Sequence, residues 1–275
     1  MTSIVRLLLC LALLGDAGGL ASAAEPPARS GATATALPHA QPSAPSARDP
    51  AEAGRAERLR RAEALSRQGD QAGAIALADQ LIAEYEREYP AGGTRWYVDR
   101  THAETRAYAA DAADAGPATA RVLDVAWADA YFLKAYALVE LSAGNDAYKF
   151  GKGGQPQSDP ERLAQARTTL ERGLELAPYH PRMLAELGNV LQQQRDWKAM
   201  LRTFAEAETA AAYAPADEQD LLYGRAKRGI GYALIELGRL DEAEAKYREC
   251  LRINPNDEIA ARELEYISQR REKEE

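Results

Sequence analysis

The sequence predicts an all-α protein in which one helical unit is repeated along the chain. The first observation is a near repetition: residues 136–142 read YALVELS, residues 232–238 read YALIELG, and five of the seven positions are identical. The second observation is that each segment is followed by a short series that ends in proline, which terminates a helix, and the spacings within the two series are identical. The two series are Ala166, Leu170, Gly173 and Pro178, and Ala243, Tyr247, Cys250 and Pro255.

Two further copies support the repetition. One begins with ELGNVLQQ at Glu186 and continues with Met200, Phe204 and Ala207. An earlier copy covers residues 58–90 and reads RLRRAEALSRQGDQAGAIALADQLIAEYEREYP. Repetition at a period of a few tens of residues is typical of arrays in which each unit stacks on the next.

These positions resemble the tetratricopeptide repeat (TPR), a 34-residue pair of antiparallel helices. The last copy matches the family's signature positions most fully, at Gly231, Leu234, Gly238, Ala243, Tyr247, Cys250 and Pro255. The resemblance, to an exported bacterial type of TPR protein, implies a TPR-like α-solenoid of antiparallel helix pairs with a C-terminal capping helix. It also implies a scaffold that binds proteins or peptides on its concave face and is not an enzyme.

The predicted organisation has three parts, namely a signal peptide at 1–23, a Pro/Ala/Ser-rich disordered tether at 24–50 and a repeat domain at 51–275. Within 91–126 we expect a degenerate repeat, with a loop at 91–96, a helix at 101–116 and a further helix from Pro117 to Leu141. The repeat domain divides into 55–90, 91–126, 127–179 with a loop insertion at 143–161, 180–216, 217–255 and a capping helix at 257–272.

The N-terminal residues have the pattern of an export signal. Arg6 precedes a short apolar stretch at 7–14, and ASA at 21–23 offers small residues for cleavage after Ala23 or Ala24. We therefore expect an exported protein, periplasmic or alternatively secreted. Cleavage would remove Cys10 and leave Cys250 as the single cysteine, so no internal disulfide is expected.

Charge and hydropathy limit the classes of partner. The formal net charge is −8 and the pI is near 5.2, whereas nucleic-acid binding and adhesion to anionic membranes both need basic surface. No stretch after the signal is long and apolar enough for an integral membrane span. The expected partner is a protein or peptide of unknown identity, and self-association through the N-terminal face is a further interpretation.

No residue pattern indicates catalysis, a cofactor or a metal site. The three histidines, His39, His102 and His180, lack a second ligand at a fixed spacing. Cys250 occupies a position that the repeat gives to a small buried residue, and GKGG at 151–154 lacks the spacing of a phosphate loop. We expect a protein that is not an enzyme.

The resemblance implies a binding groove along the first helix of each pair. Its candidate residues combine rings, amides and guanidinium groups, which suit an extended peptide. They are Phe132, Tyr136, Asn189, Gln192, Arg225, Arg228 and Tyr232, accompanied by Glu140, Arg182, Gln193 and Glu236. The alternative is an ordinary solvated helix face.

Part of this set resembles the group with which some family members grip a C-terminal carboxylate. Asn189, Arg225 and Arg228 match it, but Gly229 stands where that group has an arginine. We therefore expect at most a looser site for acidic groups. Helix packing is expected to rest on leucines such as Leu187, and the groove residues are not expected to contribute to it.

The leading functional hypothesis is a scaffold of the cell envelope that binds a partner in the concave groove and is not an enzyme. The alternative is an envelope enzyme or enzyme accessory with a site in the 91–126 segment and the 143–161 loop. In that segment the candidates are Asp99, His102 and Glu104.

Overall fold

The computed structural model describes residues 50–114, 119–123, 126–143 and 159–274 of the 275. The predicted signal peptide, the predicted tether before Pro50 and residues 144–158 of the predicted loop lie outside these ranges. The elements are α1 Pro50–Arg67, α2 Gln71–Glu88, β1 Thr94–Val98, α3 His102–Asp114, β2 Thr119–Leu123, α4 Trp127–Ala143, α5 Pro160–Leu176, α6 Pro181–Gln193, α7 Trp197–Ala211, α8 Ala216–Glu236, α9 Leu240–Ile253 and α10 Glu258–Glu274.

The helices form an α-solenoid of antiparallel pairs, as predicted. The pairs are α1 with α2, α4 with α5, α6 with α7, and α8 with α9, and each pair packs on the next. One hydrophobic core runs through the array from Leu59 to Ile267. Helix α8 is 21 residues long against 13 for α6.

The turn inside three of the pairs has the same backbone geometry. Gly69, Arg195 and Gly238 have positive φ angles of 86°, 58° and 76°, and the next amide in each case bonds back to a carbonyl five residues earlier. This is the helix end in which glycine is favoured because it has no Cβ. Asp70 and Asp196 then cap the following helices through their side chains.

Glycine also allows neighbouring helices to approach closely. A Cβ at Gly188 or at Gly229 would lie 2.4 Å from an atom of the Phe204 ring, so the ring of α7 fits directly against the backbones of α6 and α8. In the last pair a Cβ at Gly231 would lie 2.7 Å from the Tyr247 ring. The small residues of the repeat are therefore required by packing.

The array has an inner and an outer side. Among the described residues, the first helices α4, α6 and α8 contact one another in succession, whereas the second helices α2, α5 and α7 make fewer contacts with one another. Helices on the inside of a curve are closer together than those on the outside. The first helices therefore line the concave side.

The segment between α2 and α4 differs from the expected degenerate repeat. Strands β1 and β2 pair in parallel from Thr94 with Thr119 to Val98 with Leu123, and α3 connects them. The expected loop at 91–96 is thus partly a strand. The expected helix from Pro117 to Leu141 is wrong, because β2 precedes α4 within it; the β-branched and aromatic residues of TRWYV and TARVL favour strands.

This β-α-β unit packs against the edge of the array where α5 and α7 end. Tyr108 of α3 stacks between Tyr97 of β1 and Tyr179, with ring centroids 5.0 and 5.7 Å away. Thr101 donates a hydrogen bond of 2.7 Å from Oγ1 to the carbonyl of Tyr213, which follows α7. The unit therefore joins two of the connections between helix pairs.

Helix α10 caps the last pair. The Asp257 carboxylate accepts hydrogen bonds from the amides of Ile259 and Ala260 at 3.1 and 3.0 Å, which fixes the start of the helix. Ile267 is buried against the core, and Arg270 donates to the carbonyl of Ile235 at the end of α8. The charged residues on the other side of α10 face solvent, as expected of a capping helix.

The contact within the last pair gives a direct test of which residues of α9 pack inside that pair. Ala243 is 0% exposed, so Ala243→Trp should lower the free energy of unfolding by about 1–3 kcal/mol through overpacking. Ala245 is exposed on the same helix, and Ala245→Trp is the matched control. Equal denaturant midpoints for the two variants would contradict the register.

Candidate functional site

The residues of the candidate groove form one stripe on each first helix. Successive members lie three or four residues apart, which places them on the same side of a helix. We call this surface the inner face; it consists of Phe132, Tyr136 and Glu140 of α4, Arg182, Glu186 and Asn189 of α6, and Arg225, Arg228 and Tyr232 of α8.

The α4 side of the inner face is aromatic. The Phe132 ring lies 6.3 Å from Tyr136 and 5.7 Å from His180, measured between centroids. His180 caps α6, because its Nδ1 accepts a 3.1 Å hydrogen bond from the Met183 amide. Burial lowers the pKa of His180, so this histidine is a neutral structural group.

The centre of the inner face is an ion pair between α6 and α8. Arg225 Nη2 lies 3.0 Å from Glu186 Oε2, and Asn189 donates to the same oxygen at 3.2 Å. The Glu186 side chain is 4% exposed, and a carboxylate buried this deeply needs such partners. The expectation that these residues do not contribute to packing is therefore wrong for Arg225.

The other two arginines of the inner face are also paired. Arg228 donates a 2.6 Å hydrogen bond to the buried Asp257, which caps α10. Arg182 donates to Glu218 at the start of α8 at 2.9 Å. Both pairs join neighbouring helices, so each arginine has a structural role in addition to any role in binding.

One predicted groove residue has a less open position than the others. Gln192 is 7% exposed and lies in the core-facing part of α6, so its side chain offers little surface to a partner. Tyr232 is half-buried and packs at 6.1 Å against Trp197 of α7. Phe132, Tyr136, Asn189, Arg225 and Arg228 remain partly accessible.

Glu140 has a different environment from the other carboxylates of the inner face. It accepts a hydrogen bond from Tyr136 and faces the carboxylate of Glu186. Burial and the charge of Glu186 raise the pKa of Glu140, although the tyrosine bond opposes this. Burial and Glu140 together raise the pKa of Tyr136 to about 12.

Sequence reasoning placed Glu140 beside the groove but missed Glu186 as its central anion. The available signal was spacing, because Glu186 lies four residues after Arg182 and three before Asn189 on one helix stripe. It also missed Asp257 as the partner of Arg228. That pairing depends on how α10 returns to α8, which one sequence does not reveal.

The alternative site near 91–126 is not assembled from its three candidates. His102 is exposed, Asp99 accepts a hydrogen bond from Thr105, and Glu104 is 1% exposed with Oε2 bonded to the Arg100 amide. Burial raises the pKa of Glu104. The charge of Asp99 contributes to this rise, so Asp99 and Glu104 share one environment, whereas the His102 side chain is exposed to solvent.

An open cleft of about 600 Å³ lies beside β1, between the ends of α2 and α5. Trp96 and Trp127 contribute rings to it. Its carboxylates already have partners, since Glu86 accepts a 2.6 Å bond from Tyr131 and Glu175 pairs with Arg172. The cleft therefore offers no evident pair of carboxyl groups for acid–base chemistry.

Three other findings concern chemistry and membranes. Burial raises the pKa of the Cys250 thiol to about 12, so it is a poor nucleophile near neutral pH. Within the described ranges, no cluster of three or more His, Cys, Asp or Glu side chains is placed to hold a metal ion. Among the helices of the same ranges, none combines the length and apolar character needed to span a bilayer.

Comparison with known families gives a match at the C-terminal end of the array. Residues 224–257 match the model of the tetratricopeptide repeat. This region contains the second part of α8 and all of α9. The match falls on the copy whose signature positions are the most complete. No curated protein matched the chain.

Several solved structures are similar to the chain. A mutant of MamA is 15% identical over 80% of this chain and 89% of its own, with a TM-score of 0.45. TTC0263, a thermophilic TPR protein of Thermus thermophilus, is 16% identical over 78% and 99%, with a TM-score of 0.39. The first TPR of Spaghetti (RPAP3), bound to an HSP90 peptide, is 27% identical over 50% and 91%, with a TM-score of 0.31.

The raised pKa of Glu140 predicts that this residue lowers the free energy of unfolding by an amount that depends on pH. A carboxyl group whose folded-state pKa lies above its usual value near 4.5 stabilises the fold below that pH and loses this contribution as pH rises through the folded pKa. Glu140→Gln should therefore become progressively more stable than the wild type as pH rises above 4.5. Urea unfolding from pH 4 to 8 measures this, with Glu265→Gln, an exposed glutamate on α10, as control. A difference that stays constant over this range would contradict the environment assigned to Glu140.

The ion pair at the centre of the inner face predicts a stability loss. Arg225→Ala leaves the buried Glu186 carboxylate without its cation and should cost about 2 kcal/mol. Arg202→Ala, at an exposed position on α7, should stay within about 0.5 kcal/mol of the wild type. In a Glu186→Gln background the cost of Arg225→Ala should shrink, and additive effects in this double-mutant cycle would exclude the pair.

Proposed function

We propose that the protein is a non-enzymatic scaffold that binds an extended segment of a protein or peptide partner along the inner face. The observation that carries this proposal is the row of aromatic, amide and charged side chains that three successive first helices present on the concave side. The match of residues 224–257 to the tetratricopeptide repeat supports it, since helical repeats of this kind form extended concave binding surfaces.

The inner face has two properties that favour binding. Its polar side chains are held in place, because Arg225, Asn189 and Glu186 already bond to one another, and fixed groups lose little conformational freedom when a partner arrives. Its rings lie at the edge of this network, with Phe132 and Tyr136 side by side on α4. Aromatic surface beside oriented polar groups is typical of peptide recognition.

Self-association through the N-terminal face has less support. Among the residues that the structure describes, Leu221 of α8 is the one exposed large hydrophobic side chain, at 52%. Helix α1 presents mainly charged and small residues to solvent. An isolated leucine is ordinary on a protein surface and does not form an apolar patch.

The envelope location is part of the proposal and rests on the sequence. The basic residue, apolar stretch and small residues of 1–23 support export, with the periplasm as the proposed compartment and secretion as the alternative. The partner would then be another exported protein or an exposed segment of one.

Site-specific photo-crosslinking tests the proposed function. A photo-reactive amino acid at Gln193, which continues the inner-face stripe of α6, should capture a partner from envelope extract. The same residue at Glu206, exposed on the outer helix α7, should not. Tyr136→Ala in the Gln193-labelled protein should reduce the captured amount at least severalfold, since it removes a ring of the binding surface.

Two outcomes would contradict the proposal. Equal capture from Gln193 and Glu206 would show that the inner face has no special role. Capture that persists with Tyr136→Ala but disappears on deletion of residues 144–158 would assign binding to the inserted segment.

A further inference from the structure

We propose that the segment bound on the inner face carries a lysine or arginine, and that the Glu140 carboxylate receives its positive charge. This inference rests on the proposed function and specifies its ligand. In the sequence, the residue types Asn189, Arg225 and Arg228 suggest a preference for acidic ligands. The proposed preference for basic ligands is the opposite.

The arginines of the inner face do not carry free positive charge. Each of its arginines is paired with a carboxylate of this chain: Arg182 with Glu218, Arg225 with Glu186 and Arg228 with Asp257. The three cations that would attract an acidic ligand are thus already neutralised.

An acidic ligand would have to displace carboxylates of this chain. To bind Arg225 or Arg228 fully, it would compete with Glu186 or Asp257, whose side chains are 4% and 5% exposed. A buried carboxylate that loses its cation carries a large desolvation penalty. Acidic ligands are therefore disfavoured even though arginines are present.

Glu140 differs from the other carboxylates of the inner face in its neighbours. Its neighbours are Tyr136 on its own helix, which donates a hydrogen bond to it, and Glu186 on α6, which repels it. No lysine or arginine of the described residues pairs with Glu140. Arg225 bonds to Glu186, so among the described residues Glu140 is the inner-face carboxyl group that has no cation beside it.

The surroundings of Glu140 fit a basic side chain. Phe132 and Tyr136 lie on the same stripe as Glu140, with ring centroids 6.3 Å apart. The methylene stem of a lysine or arginine can pack along these rings, and its charge is attracted to an aromatic face as well as to the carboxylate. Partial burial strengthens the ion pair relative to one in water.

A peptide array measures the ligand's charge. An array of random-sequence nonapeptides is probed at low salt with the full chain lacking residues 1–23, as wild type, Glu140→Gln, Glu265→Gln and Tyr136→Ala. Peptides bound by the wild type should be enriched in lysine and arginine and depleted in aspartate and glutamate. Glu265→Gln removes the same charge from an exposed site on α10, so it controls for the overall negative charge of the chain.

The four proteins separate the inference from the proposed function. We expect Glu140→Gln to bind the selected basic peptides about tenfold more weakly, Glu265→Gln to bind like the wild type, and added salt to weaken wild-type binding. Enrichment of acidic peptides that depends on Tyr136, or basic enrichment that survives Glu140→Gln, would overturn the inference and leave inner-face binding intact. Binding that is indifferent to Tyr136→Ala, or no binding by the wild type, would overturn both.

Discussion

The packing of Phe204 between two glycines determines the geometry of the inner face. Its ring lies where any side chain at Gly188 or Gly229 would place a Cβ 2.4 Å away, so α6 and α8 both approach the same residue of α7. This contact sets the separation of the two first helices. At that separation Arg225 reaches Glu186 across 39 residues of sequence. The arrangement of polar side chains on the inner face therefore depends on the apolar packing of Phe204 behind it.

As a consequence, the arginines of the inner face are paired with carboxylates of the same chain. Pairs such as Arg225 with Glu186 and Arg228 with Asp257 connect α6, α8 and α10. These pairs hold the helices in place, and they also reduce the attraction of the inner face for anions. Glu140 is the exception, because burial and Glu186 both act against its charge. A group that is unfavourable in the free protein and satisfied by a ligand is common at binding sites, where stability is given up for function.

The sequence alone predicts the features that local chemistry determines. The small residues Gly231 and Ala243 and the terminating Pro255 locate the last helix pair, and they do so because close packing and proline geometry allow few alternatives. The strands at 94–98 and 119–123 were missed, since each is five residues long and a parallel partner lies far away in sequence. The inner face was predicted as a set of residue types, but its ion pairs depend on the distances between helices.

The most direct test of this account is the titration of Glu140 in the free and the bound protein. The carboxyl ¹³C shift of Glu140, assigned by comparison with Glu140→Gln, reports its pKa before and after a lysine-containing peptide from the array is added. A cation beside the carboxylate favours its charged form, so the account predicts that the pKa of Glu140 falls on binding. A pKa that stays the same or rises in the complex would contradict the account, because the ligand's charge would then lie elsewhere.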